Sequence, residues 1–317
     1  MVGATEASVL GNRELFGRLA TRAMLPGMQQ IFKGWRPDLV IREPCEYASA
    51  VVAHRTRTPV AQVAISFADL EARSIEVAGP ALEQHQSGLV DVLMTTPYVT
   101  RFPESLDPSP FAVTLRVREA TPTAPDPLPR WWGDQDGPLV YVTFGTVLGH
   151  VADAVQVYRA APGAVEHLDA RVLLTVGRKF DASTLGRLPG HVRVEAWVDH
   201  YRVLGHADLV VTHCGSGTAL GALAAGVPIV AVPLFADQFE NSRRIAAAGA
   251  ALIAEAGRDQ EGRTRGLMSD RDAPGVTAAI ETVLGDPTYK RSAGLIAGEM
   301  AAMPAADAVL GRLPSPC

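Results

Sequence analysis

The sequence predicts an α/β protein made of two Rossmann-like domains, on three observations. At 317 residues the chain exceeds the roughly 250–300 residues that one hydrophobic core organises. Short, wholly apolar runs alternate with helical segments, the pattern of right-handed βαβ units around parallel sheets. A proline-rich stretch from Ala120 to Pro138, with prolines at 122, 125, 127, 129 and 138, separates two blocks of that alternation and reads as an extended, semi-rigid linker.

Before the linker, Leu15 to Phe32 reads as a helix, with Leu15, Leu19, Met24 and Met28 near helical spacing and Pro26 as a kink or break. Leu39-Val40-Ile41 is a short apolar run of the kind buried in a parallel sheet. Tyr47 to Thr56 follows as a helix and Pro59 to Ile65 as a strand. After the linker, strands are expected at Leu139 to Phe144, Arg171 to Val176, Val192 to Glu195, Asp208 to Thr212 and Pro228 to Pro233. Helices are expected at Ala152 to His167, Thr218 to Ala225, Phe239 to Ala248, Pro274 to Leu284 and Thr288 to Ala302. No internal repeat is present, which excludes solenoids and propellers.

Charge and cysteine usage narrow the function. A net charge of -5, from 29 Lys+Arg against 34 Asp+Glu, supplies no basic field for phosphate backbones or anionic lipid. Neither nucleic acid nor a membrane surface is an expected partner. Cys45, Cys214 and Cys317 are too scattered for a disulfide framework or a zinc site. Met1 to Leu15 contain Glu6, Arg13 and Glu14 and no long apolar run, so no signal peptide is expected and the cytoplasm is the expected compartment. The apolar stretch Leu209 to Ala236 holds His213, several glycines, Pro228 and Pro233, so it divides into strand, loop, helix and strand rather than crossing a membrane.

Four segments carry chemistry. Val210-Val211-Thr212-His213-Cys214-Gly215-Ser216-Gly217-Thr218 sets a small glycine-bearing loop after an apolar strand and at the start of a helix. Such a turn aims backbone N–H groups at the positive end of the helix dipole, which suits a phosphate, and His213 and the Thr218 hydroxyl add donors. The plainer reading is a tight turn with a core histidine. Two rival motifs fail: G-x-G-x-x-G requires glycine where Leu220 stands, and G-x-S-x-G requires glycines where Cys214 and Thr218 stand. In the second segment, Asp237 and Gln238 follow the next strand and pair a carboxylate with an amide, a combination that holds sugar hydroxyls or caps a helix. The third segment places Trp197 and Val198 after a short strand, where an indole stacks on a base or packs in the core. The fourth, Phe144-Gly145-Thr146, brings a glycine and a hydroxyl to a strand end.

Taken in this order, the segments resemble the carboxyl-terminal half of nucleotide-sugar glycosyltransferases of the GT-B fold, specifically those acting on antibiotic aglycones and other small lipophilic acceptors, including bacterial macrolide and polyketide glycosyltransferases. The matching residues run from Tyr141-Val142-Thr143-Phe144-Gly145-Thr146, through Trp197-Val198-Asp199-His200 and the His213 loop, to Gly226-Val227-Pro228 and Ala236-Asp237-Gln238-Phe239-Glu240-Asn241. The resemblance implies that Trp197 and Val198 contact the base. It implies that His213 with Gly215, Ser216, Gly217 and Thr218 holds the diphosphate, and that Asp237 and Gln238 read the sugar. Thr146 then approaches the phosphates or the acceptor. Many plant relatives carry a ribose-binding glutamate where Gly221 stands, and a glutamine where His200 stands.

On the same resemblance, residues 1–120 are a partial acceptor-binding domain, 121–138 the linker, and 139–317 the donor-binding domain, whose last helix crosses back to the first. Trp35 to Pro44 resembles that acceptor domain's middle strand, with Glu43 where an acidic residue orients a catalytic histidine in many relatives. That histidine lies in a loop with no counterpart before residue 36, so the expectation is a chain beginning about two βα units late, with no assigned catalytic base. The implied reaction is inverting transfer of a sugar from a thymidine or uridine diphosphate sugar to an acceptor hydroxyl, with no metal or other cofactor. The alternative is a nucleotide-sugar-binding auxiliary protein or degraded copy without catalysis. Asp134-Gln135-Asp136 mimics a D-x-D metal motif but stands in a turn-forming stretch. A shortened amino-terminal sheet exposes an edge, so a homodimer is a further expectation.

Overall fold

The computed structural model describes residues 9–119, 126–145, 155–254, 256–257 and 267–313. The chain forms two compact units: Met1–Arg118 with Ala302–Cys317, and Glu119–Ala301.

In the first unit, β1 (Val40–Arg42), β2 (Val60–Val63), β3 (Tyr98–Thr100) and β4 (Thr114–Arg116) form a parallel sheet in the order β1-β2-β3-β4. A π-helical stretch, Val9–Ala20, leads into α1 (Thr21–Trp35), and α2 (Ala48–Thr56), α3 (Ala68–His85) and α4 (Leu89–Thr95) follow. The core gathers Tyr47, Val51, Ile75, Leu82, Leu93, Tyr98 and Phe111, with Tyr98 and Phe111 stacked at 4.1 Å. Pro26 lies inside α1 without ending it. Its missing N–H leaves only the carbonyl of Arg22, at an exposed turn, without a helical partner. Leu15, Leu19 and Met24, which set the helical period, are exposed.

The apolar run at 39–41 is not a buried central strand. β1 is the sheet edge and Ile41 is 52% exposed, while the buried residue is Arg42. Its guanidinium donates to Gln62 Oε1 at 2.6 Å and to the carbonyls of Glu46 and Pro44, so each nitrogen of the buried charge has an acceptor.

The second unit contains β5 (Leu139–Thr143), β6 (Arg171–Thr175), β7 (Val192–Glu195), β8 (Leu209–Thr212), β9 (Ile229–Ala231) and β10 (Ala251–Ile253). They form one parallel sheet in the order β10-β9-β8-β5-β6-β7. Every residue of β5, β8 and β9 is buried, as continuous Val-, Leu- and Ile-rich runs require when helices cover both faces. The helices are α5 (Val155–Ala160), α6 (His200–Leu204), α7 (Ser216–Ala224), α8 (Gln238–Ala247), α9 (Ala273–Gly285) and α10 (Pro287–Ala302). The strand order reverses between β5 and β8, and an open sheet of this topology holds its ligand at the carboxyl ends of the two strands that flank such a reversal.

Two stretches are bound differently from the sequence reading. Residues 126–138, expected as a linker between the two domains, belong to the second unit: Arg202 donates to the carbonyls of Asp126 and Pro127, and Trp132 Nε1 donates to the His191 carbonyl at 2.9 Å. Helix α10 buries Ala293, Ile296 and Met300 and groups with the second unit up to Ala301. The return to the first unit begins at Ala302, where Arg118 N donates to Pro304 O at 2.7 Å and Val309 and Leu313 pack on Ala61, Val99 and Leu115. No described helix is long and apolar enough to cross a membrane.

Candidate nucleotide site

The loops after β5, β6, β7 and β8 converge on a cavity of about 670 Å³ in the second unit. His213, one residue past β8, lies directly behind Gly145, which lines the cavity. Its Nδ1 lies 3.2 Å from the Thr212 hydroxyl, which leaves Nε2 for a ligand. Burial pushes the imidazole pKa down to about 4, so the ring is neutral at pH 7. In the tautomer that places the proton on Nε2, the Thr212 hydroxyl donates to Nδ1 and Nε2 serves as a donor to an anion.

The glycines beside it make room for that ring. A Cβ on Gly215 would lie 2.6 Å from His213 Nε2, and one on Gly145, whose φ is 73°, would lie 2.9 Å from Cε1. Helix α7 starts immediately afterwards. Its first intrahelical bond runs from Ala219 N to Gly215 O, and no side chain caps it, so the amides of Ser216, Gly217 and Thr218 have no intrahelical acceptor. Gly217 and Thr218 line the cavity. Cys214 is buried with φ 64°, a left-handed backbone that is strained for a residue with a side chain.

Ala236 repeats that conformation at φ 56°, in the loop between β9 and α8. Asp237 occupies the N-cap position of α8, but its side chain makes no capping bond. Its Oδ2 instead accepts from the Ser216 hydroxyl at 3.2 Å and from Asn241 Nδ2 at 3.1 Å, tying the second motif to the first. Gln238 is buried, and its Oε1 accepts from the amides of Leu234 and Phe235, so this oxygen shapes the loop. Its amide nitrogen is the remaining donor.

Trp197 is 55% exposed at the cavity wall, with Val198 beside it, so the indole is not a core residue. Asp199 caps α6 by accepting from the amides of Tyr201 and Arg202. His200 and Gly221 are spatially matched: a Cβ at 221 would lie 2.7 Å from His200 Nε2, so the ring fills the space that a side chain at 221 needs. Thr146 lies outside the described residues.

In the first unit, Glu43 is exposed just past β1, with Oε2 accepting from Cys45 N at 2.7 Å. Asp134 pairs with Arg130 at 2.7 Å on the surface, 93% exposed. Sequence reasoning missed Tyr141, Thr175, Arg178, Lys179 and Tyr201 in the cavity wall. Gly177-Arg178-Lys179 follows β6, and the strand order sets that loop at the same carboxyl end of the sheet as Gly145 and His213.

Both halves of the chain match a single family. Residues 3–136 match the N-terminal domain, and residues 160–315 the C-terminal domain, of the family described as erythromycin biosynthesis protein CIII-like. The chain is 32% identical to the elloramycin glycosyltransferase ElmGT of Streptomyces olivaceus, over 93% of this chain and 72% of that one. It is 30% identical to the L-demethylnoviosyl transferase of Streptomyces niveus, over 88% and 71%. Among solved structures, the spinosyn rhamnosyltransferase SpnG matches with a TM-score of 0.78 at 23% identity, over 96% of this chain and 79% of that one, and its thymidine diphosphate complex matches at 0.77. The strand-end cluster thus sits in the C-terminal domain of a chain that belongs to the erythromycin biosynthesis protein CIII-like family of glycosyltransferases.

Proposed function

We propose that the chain transfers a sugar from a thymidine or uridine diphosphate sugar to a hydroxyl of a small lipophilic natural product, inverting the anomeric carbon. The acceptor oxygen forms the new bond to that carbon and gives up its proton to a base. The bond to the β-phosphate oxygen breaks on the opposite side, and the nucleoside diphosphate leaves with the electron pair. The single observation that carries this reading is the neutral His213 clasped between Gly145 and Gly215 just before α7, whose first-turn residues Gly217 and Thr218 line the cavity together with Gly145. In this reading Trp197 and Val198 take the base, and Asp237 with Gln238 takes the sugar. The thymidine diphosphate held by SpnG supports a thymidine donor.

The auxiliary-protein alternative is not favoured, because the relatives matching both halves of the chain are named as transferases. The experiment is to incubate the purified chain with thymidine and uridine diphosphate sugars and a panel of phenolic and polyketide acceptors, then to read products by mass spectrometry. A sugar adduct is expected. Nucleotide binding without adduct or hydrolysis would overturn transfer. The reading needs no metal, so a chelator is expected to leave the rate unchanged. It places the enzyme in the cytoplasm, and association of two copies through the exposed β1 edge is the proposed assembly; a monomeric mass by light scattering would refute it.

A further inference from the structure

The charges lining the cavity are unlike those of the whole chain. Although the net charge is -5, the described wall contains Arg178 and Lys179 and no carboxylate. Both cations stand in the loop after β6, directly behind Gly177. The Arg178 guanidinium lies over the exposed Trp197 ring, 5.2 Å from its centroid. It forms no ion pair among the described residues.

The ligand inferred for this cavity is a diphosphate, and the donors already identified do not neutralise it. His213 is uncharged, and the amides of α7 offer only the partial charge of a helix terminus. A guanidinium matches two phosphate oxygens with parallel N–H bonds, an interaction stronger than its contact with a solvent-exposed aromatic face. We propose that Arg178 is the cation that binds the donor's diphosphate, and that in the unliganded protein it rests on the Trp197 indole and leaves it when nucleotide enters. The exchange also frees that indole face for the base. Arg178 is on this account a binding residue that couples phosphate recognition to base stacking. The inference rests on the nucleoside diphosphate reading of the site.

The two parts of the proposal push one variant in opposite directions, which makes it testable. Calorimetry would compare wild type, R178Q and R178K with thymidine diphosphate, uridine diphosphate and the free nucleosides. R178Q is expected to bind the diphosphates about tenfold more weakly. Its affinity for the free nucleosides is expected to be unchanged or higher, because nothing then competes for the indole. R178K is expected to keep diphosphate affinity within about threefold of wild type, since it retains the charge without the planar fork. Diphosphate affinity in R178Q equal to wild type would overturn the proposal, and so would an equal proportional loss for nucleoside and diphosphate. A wild-type protein that binds neither diphosphate would instead overturn the reading of the site on which the proposal stands.

Discussion

A Cβ on Gly145 would stand 2.9 Å from Cε1 of His213, so the turn after β5 and the turn after β8 are in van der Waals contact at the reversal of the strand order. This contact fixes the imidazole between two backbone segments. Gly145→Ala therefore imposes two penalties at once: a clash with the ring, and a left-handed φ of 73° on a residue with a Cβ, which costs roughly 1–2 kcal/mol by itself. The expected result is at least a tenfold loss of nucleoside diphosphate affinity by calorimetry and a fall in Tm of about 3–8 °C. Unchanged affinity would show that the glycine does not position His213.

Asp237 has one carboxylate oxygen engaged by the protein. Its Oδ2 already accepts from Ser216 and Asn241, so Oδ1 is the atom available to a sugar hydroxyl. Asp237→Ala is expected to change the ranking of donor sugars in kcat/KM while nucleotide affinity is largely kept. Stability should drop by about 1 kcal/mol, because the buried Asn241 amide and the Ser216 hydroxyl each lose one acceptor, while Asn241 keeps the Cys214 carbonyl at 3.0 Å. An equal loss for every donor would remove Asp237 from sugar recognition.

The depressed pKa of His213 also acts on stability. Between about 4 and the ordinary value of 6.5 the unfolded chain binds more protons than the folded one, so the second unit gains stability as pH rises through this window and loses it as pH falls. The contribution is at most about 3 kcal/mol. In urea titrations from pH 4 to 7, His213→Gln is expected to flatten this slope and, separately, to weaken nucleoside diphosphate binding. A slope equal to wild type would mean that the ring is solvated in the folded protein.

The parts of this site that were legible in the sequence are those that local chain geometry dictates. His213, the glycines beside it, Asp237 and Trp197 all stand in a strand, turn or helix start whose residue types reveal the turn. The partners that converge on them from other strands were not legible. Arg178 looks like any polar residue in a loop until the order β7-β6-β5-β8 places that loop at the same edge. The apolar triplet at 39–41 suited a central strand as well as an edge, because burial depends on what lies beside a strand rather than on its own residues. For the same reason, His200 and Gly221 read as two separate departures from a pattern until their contact made them one.

Glu71 carries the opposite pH dependence in the first unit. It is buried at the start of α3, where Oε1 accepts from the amides of Ile65 and Ser66 at 2.8 and 2.6 Å and Oε2 accepts from the Tyr98 hydroxyl at 2.6 Å. Desolvation outweighs these bonds and raises its pKa to about 7. From the ordinary value of 4.5 up to about 7 the folded state therefore holds the proton more tightly, and stability falls as pH rises through that window, by roughly 3 kcal/mol at most. Glu71→Gln keeps an acceptor for the loop amides and removes the titration. The first unit's unfolding free energy is expected to be flat across this window in Glu71→Gln where that of wild type declines, while His213→Gln, in the second unit, leaves the first unit's decline intact. A wild-type curve that shows no decline in the first unit between pH 4.5 and 7 would place the Glu71 proton in solvent.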